Sequence, residues 1–371
     1  MQTDMHYYGT YVLARTAGLR PDICSRIATA AQFVDDNVAR SGAEFLDGAH
    51  LFVQATAHHP IDLSNVNKED QRNVWAPFHF LPGNEGAEYT ERLKCRKDSA
   101  ISREMLEHHL QFSDRKFAPE LFGITAHVYA DTFSHYGFSG VSSRGNRVAQ
   151  DSIDLKNVSG EIRDYIQTKA ESFFEKNGTQ GGLFENIRSR FMQFNHSFQS
   201  FAAEELSGAL GHGGVATFPD RPYLIWSFEY ENDELEISER NNQETFLEGC
   251  EKIHEYFCRV GGENQEFVDR DCVPFGSIKS VVTQVLQVQK NKDGRIDAWK
   301  RAFSDGSLGI EGELIPIYDG IRLNTDWDNL DGTEDHQVAL DREVFRFYQA
   351  ASLHRIFVLR DLLPKHGILV G

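Results

Sequence analysis

The sequence predicts a mainly α-helical protein, and three observations carry that prediction. Apolar side chains recur at spacings of three and four over long stretches, alternating strand patterns are scarce, and loops rich in glycine, serine and asparagine separate the stretches. In chain order, Ile23, Ile27, Ala30, Ala31 and Val34 place a helix over 23–34, with Asp35 and Asp36 near its end. A second helix is expected over 119–138, where Pro119 and Glu120 suit a first turn. Its apolar residues, among them Leu121, Phe122, Ile124, Val128, Tyr129 and Phe133, point in several directions, so this helix is expected to be buried and central. Further helices are expected over 182–210 (ended by Gly208 and Gly211), 243–259, 273–289 and 338–363. Between them lie the loops 139–147 and 211–222 and the irregular stretch 56–98, long enough to suggest function. Residues 1–260 hold nearly all the notable histidines and are assigned to a catalytic unit. Residues 261–371 are read as a helical C-terminal extension packed on it, or as part of one single domain.

The 371 residues are 40% hydrophobic and 25% charged, as in an ordinary soluble globular protein. A net charge of −18 excludes a broad basic face for nucleic acid. It leaves a metal-dependent nuclease open, because bound cations supply positive potential locally. The five cysteines are odd in number and scattered, with no Cys-x-x-Cys pair, so reduced, mostly buried thiols are expected rather than a disulfide framework or a thiolate zinc clip. The N-terminus shows no basic region followed by an apolar run, and no apolar stretch approaches the ~18 residues of a membrane span. A cytoplasmic protein is therefore expected. Asn291–Asp297 resembles the middle of a calcium-binding EF-hand loop, but Gln289 and Lys300 occupy its first and twelfth positions, so calcium is not expected there. The acidic turn with Asp326, Asp328, Asp331 and Asp335 reads as a solvated loop.

The strongest chemical signal is His127-Val-Tyr-Ala-Asp131-Thr-Phe-Ser-His135. Residues four apart project from one helix face, so a single stripe presents imidazole, carboxylate, imidazole. These ligand types suit zinc, and a carboxylate can bridge two ions. On a helix apolar nearly all round, three such groups are costly to bury without a partner such as a metal. His6 lies on an early helix. Asp35 and Asp36 sit where the helix dipole disfavours anions, which calls for an outside positive charge. His79, in Trp-Ala-Pro-Phe-His-Phe-Leu-Pro, needs a polar partner, and His58–His59 compete with it in the same loop.

The order of these motifs resembles the zinc-dependent phospholipase C family and the related S1/P1-type nucleases. An early helix histidine (His6) is followed by an aspartate after the next helix (Asp35 or Asp36) and a loop His-Phe (His79-Phe80). Then comes Leu-Phe-Gly-Ile-Thr-Ala-His127-Val-Tyr-Ala-Asp131, similar to the family's Gly-x-x-x-His-x-x-x-Asp. The match covers about the first 140 residues. The whole chain also resembles a bacterial family of uncharacterised function that shares the opening DMHYYGTYVLAR and the later QFVDD.

The phospholipase resemblance implies two or three zinc ions in a multi-helix fold. His79, His127, Asp131 and one of Asp35/Asp36 would hold the first ion; His6, Asp131 and an N-terminal amine would hold another. The family's N-terminal residue is a tryptophan freed by cleavage, whereas Met1 stands here, so the amine-held ion is expected to be absent or otherwise bound. His135 comes slightly early for the family's next ligand. The missing part is assigned to His212, flanked by glycines in Leu210–Pro222, with His196, Glu204 and Glu205 ranked below it. Arg221 or Arg144 would balance phosphate charge. The expected activity is hydrolysis of a small phosphodiester or phospholipid, with the second of Asp35/Asp36 accepting a proton from water. The alternatives are a single-strand nuclease of the same fold and a non-enzymatic, metal-stabilised binding or effector protein.

Overall fold

The computed structural model describes residues 1–38, 42–58, 71–166, 168, 215, 217–231, 237–330, 332 and 335–370, with the side chains at 144 and 150 left aside. The chain opens with a wide, π-type helical turn, Asp4–Gly9, that runs straight into α1 (Thr10–Thr16), and every residue of the two is buried. Arg295, itself buried, fastens this segment through Asp4 (2.7 Å) and Gln2 (2.6 Å). α2 (Pro21–Asp36) begins with proline in its first turn, where a missing N–H costs nothing. α3 (Ala100–Leu110) is capped by the Ser99 hydroxyl, which accepts from the Ser102 N–H.

α4 (Ala118–Ser134) is the central helix, with all its residues buried. It lies against α2 and α3, and later helices complete its surroundings. Gly123 sets the α2–α4 spacing: a Cβ there would sit 2.2 Å from the Ile27 carbonyl oxygen. Only glycine lets the two backbones come so close. The helix was expected to run to 138; it stops at Ser134, and Gly137, at φ +85°, turns the chain away.

A short ribbon pairs β1 (Ala43–Glu44) with β2 (His50–Leu51). A three-stranded antiparallel sheet of order β3 (Val148–Lys156), β4 (Ile225–Tyr230), β5 (Ile237–Asn241) covers a second apolar cluster containing Phe80, Phe138, Tyr223, Trp226 and Phe228. β4 alternates aromatic Trp226, Phe228 and Tyr230 with Ser227 and Glu229, and the aromatic residues face this cluster.

α5 (Asn242–Glu263) and α6 (Phe275–Leu286) follow the expected positions; α7 (Lys292–Ser304) was not among the expected helices, and Asn291 caps it by accepting from the Gly294 N–H. The expected 338–363 helix divides into Gln337–Leu340, α8 (Glu343–Ile356) and a π-type turn, Phe357–Leu362. The predicted 182–210 helix lies outside the described residues. The main core takes side chains from both sides of residue 260, Phe122 and Phe257 on one side and Trp299 and Phe347 on the other. The protein is mainly α-helical, and no described helix is long and apolar enough to cross a membrane.

Candidate metal centre

His127 and Asp131 project from α4, and His135 stands at its C-cap, so the stripe read from the sequence survives as one face. The C-terminal end of α2 brings Asp35 to it, the turn after Ala76–Phe78 brings His79, and the Asp4–Gly9 turn brings His6. Asp35 Oδ1, His79 Nδ1 and His127 Nε2 form one grouping of candidate ligand atoms, and Asp131 Oδ2 meets both of its imidazoles. His127 lies 3.2 Å from His79 and 3.3 Å from Asp131; His79 lies 3.5 Å from Asp131; Asp35 lies 3.8 Å and 3.9 Å from the two imidazoles. Atoms ~2.0–2.2 Å from a shared tetrahedral ion are roughly 3.3–3.6 Å from one another, so His79, His127 and Asp131 are spaced as ligands of a zinc-sized cation and Asp35 stands slightly farther out.

The other oxygen of Asp131 serves a second group. Its Oδ1 lies 3.3 Å from His6 Nε2 and 2.7 Å from the Met1 amine. The amine also stands 3.2 Å from Asp220 Oδ1 and 3.5 Å from His135 Nε2, and Asp220 is 3.1 Å from that same His135 nitrogen.

Backbone carbonyls fix the orientation of three imidazoles. His79 Nε2 meets Thr56 O at 2.8 Å, His127 Nδ1 meets Ala31 O at 2.7 Å, and His135 Nδ1 meets His79 O at 2.9 Å. A carbonyl only accepts, so each of those nitrogens carries the hydrogen and the opposite, lone-pair nitrogen faces inward. Metal-ligating histidines are held this way. His6, stacked on His127 at 3.9 Å, makes no hydrogen bond from either ring nitrogen although it is buried, and Asp131 Oδ2 is likewise without one. Orphaned polar atoms this deep are costly, and a cation among them would satisfy them.

The electrostatics are those of a compact charge cluster. Burial pushes the Asp131 carboxyl up, but His135, the Met1 amine, His127 and His6 outweigh it and hold Asp131 well below the usual carboxylate range. Burial works against the charge on the Met1 amine, yet Asp131, Asp220 and Asp35 lift it to about 11. Burial, then His127, drives His6 down to about 4, so it is a neutral imidazole at pH 7.

Several sequence expectations are corrected here. Of the Asp35/Asp36 pair, only Asp35 faces the histidines; Asp36 accepts a short hydrogen bond from the Tyr318 hydroxyl. The Met1 amine, whose ion was expected to be absent or otherwise bound, lies against Asp131. Arg221 is buried, with its guanidinium donating to Thr217 (3.0 Å) and packed over the Tyr165 ring, so it is engaged structurally. His212, His196, Glu204, Glu205 and His59 lie outside the described residues, as does the Arg144 side chain. Groupings of candidate ligands among the described residues include His79 but not His58. Asp220 was missed. It lies in the same Gly/Pro-rich loop as His212, with no helical spacing to set it apart, and only the fold carries it to His135.

A family model described as a family of unknown function, DUF6765, matches residues 1–362. The chain belongs to that family. No curated protein and no solved structure matches it.

Proposed function

We propose that this protein is a zinc-dependent phosphodiester hydrolase with a helical fold of the phospholipase C type, acting on a small diester or phospholipid. The observation that carries this reading is the set of imidazoles whose outer nitrogens are spent on carbonyls while their inner nitrogens surround a doubly shared carboxylate, Asp131. Asp35, His79, His127 and Asp131 would hold one ion, His6 and Asp131 a second, and His135 with Asp220 a third. Divalent ions bound there would make water a nucleophile near neutral pH and neutralise charge on the phosphoryl oxygens.

The chain's own residues do the rest. Asp131 fixes the spacing of the groups by offering one oxygen to each side. Thr56, Ala31 and His79 carbonyls lock the imidazole planes, so no reorientation is needed during turnover. Asp36, beside Asp35, lies outside the ligand group: burial raises its carboxyl, and Tyr318 keeps it oriented. With 38 basic against 56 acidic residues, a neutral or zwitterionic diester meets less repulsion than a long polyanion.

The test is a metal count by plasma mass spectrometry on protein purified without chelator, joined to a plate assay. The substrates are an aryl phosphodiester, its monoester, phosphatidylcholine vesicles and single-stranded DNA, each with a metal-stripped control. Two or three zinc ions per chain and a preference for diester over monoester and DNA are expected. Fast DNA cleavage with inert lipid would replace this reading by a nuclease. Full metal with every substrate intact would replace it by a binding role.

A further inference from the structure

Cys258 and Cys272 are 14 residues apart in the chain, without any motif spacing, yet the fold brings their sulfurs to 2.6 Å. Cys258 is half-buried on the last turns of α5, and Cys272 is exposed on the connection to α6. That connection doubles back along the end of α1. Val268 bridges to Leu19, the Asp269 N–H donates to Gly18 O at 3.2 Å, and the Val273 N–H donates to Thr16 O at 2.8 Å. Arg15 adds an ion pair to Asp269 at 2.6 Å. Cys272 therefore faces α5 because backbone bonds on both sides of it fix the strand's path. One helical turn before Cys258, the buried His254 places Nδ1 3.7 Å from its sulfur.

His254, Cys258 and Cys272 could be read as three ligands of one ion. Two thiolates ~2.3 Å from a tetrahedral ion, however, lie roughly 3.7 Å apart, well beyond the separation here. We propose that Cys258 and Cys272 form a redox-active pair that closes to a disulfide by thiol–disulfide exchange with a small-molecule disulfide. Cys272, the exposed sulfur, attacks the incoming disulfide as thiolate, forming a mixed disulfide and releasing one small thiolate. Cys258 then gives up its proton by way of His254 Nδ1, which passes it on to solvent, as its sulfur attacks Cys272, and the second small thiolate leaves. Both leaving thiolates take up protons from solvent. Two protein thiols are oxidised and one small disulfide is reduced to two thiols, so atoms and electrons balance. Closing the bond ties α5 to the strand that braces the end of α1, the helix continuing from His6.

The experiment uses the full chain in graded mixtures of reduced and oxidised glutathione. Free thiols are alkylated after unfolding, and the peptides are weighed. In oxidised samples a single cross-linked peptide pair containing Cys258 and Cys272 is expected, while Cys24, Cys95 and Cys250 are alkylated. C258S should stop at glutathione joined to Cys272, and C272S should form neither product. The melting midpoint of the parent should fall on the order of 5 °C on reduction, and that of C272S should not respond. Full alkylation of Cys258 and Cys272 in the oxidised parent, whose measurement needs no variant, would overturn the proposal. So would a zinc ion held by the parent in excess of the main site and lost in C258S, because the trio would then be a metal site. Neither result bears on the hydrolase reading, whose ligands lie elsewhere.

Discussion

Asparagine at position 131 keeps the shape of the side chain and removes its charge. Asp131 Oδ1 lies 2.7 Å from the Met1 amine and 3.3 Å from His6, and Oδ2 lies 3.3 Å from His127 and 3.5 Å from both His79 and His135. The amide offers one oxygen instead of two, and its NH2 must point at either the amine or the imidazoles. Removing one partner from a buried ion pair costs about 3–5 kcal/mol. Asp220 remains 3.2 Å from the amine, so Asp131→Asn should cost the metal-free protein about 3 kcal/mol, the lower end of that range. The same loss, applied to a cation that Asp131 shares, weakens metal binding roughly 10²–10⁴-fold. The assay is zinc content after desalting, followed by melting with and without chelator. The variant should come through nearly metal-free and should no longer respond to chelator. Parent-like zinc content together with an unchanged midpoint would refute the assignment of Asp131 as the shared ligand.

Asp220→Asn should lower the zinc content by about one ion while leaving the Asp35–His79–His127 group loaded; Asp293→Asn, on the exposed first turn of α7, should leave content and activity unchanged. Gly123→Ala forces Ile27 O and its helix away, so it should destabilise by at least the ~1–3 kcal/mol of an overpacked core, read from urea unfolding, and should loosen His127 from Ala31. Burial drives His354 down to about 4, below the 6.5 of an unfolded histidine. The unfolded chain therefore binds a proton first as pH falls, and stability is lost below pH ~6.5, reaching roughly 3 kcal/mol near pH 4. His354→Gln, which can still donate to Pro77 O, should flatten that part of the urea-midpoint profile; an unchanged acid slope would show that His354 is not its source.

The helices carrying the centre were legible because their residues are periodic. Pro119 starts α4 one residue inside the observed boundary, and the His127, Asp131, His135 stripe needed only the rule that residues four apart share a face. The choice between Asp35 and Asp36 was not legible: adjacent residues on a helix diverge by about 100°, and which one meets the histidines depends on how α2 lies on α4. That packing is set by Gly123, a residue with no side chain to advertise it. Asp220 and Cys272 were hidden for another reason. Each sits on an irregular segment held by distant residues, that of Cys272 by backbone bonds to Thr16 and Gly18 and that of Asp220 by the Asn242 amide donating to the Phe218 and Arg221 carbonyls, and no local pattern encodes those bonds. The β3–β5 sheet escaped notice although β4 alternates Trp226, Phe228 and Tyr230 with Ser227 and Glu229, because that pattern spans only five residues and its partner strands carry none as clear.

Arg295, described above as the clamp on the Asp4–Gly9 turn, gives the protein an order of assembly. During synthesis the ribosome emits the chain from residue 1 onward, so α2 and α4 can meet and collect Asp35, His79, His127 and Asp131 while the rest is still unmade. His6 has no such freedom. The guanidinium that holds its turn is encoded 291 residues after Asp4, so the turn stays unfastened until Arg295 has emerged. The Asp35, His79, His127 and Asp131 side chains can thus come together before the turn that carries His6 is fastened beside them.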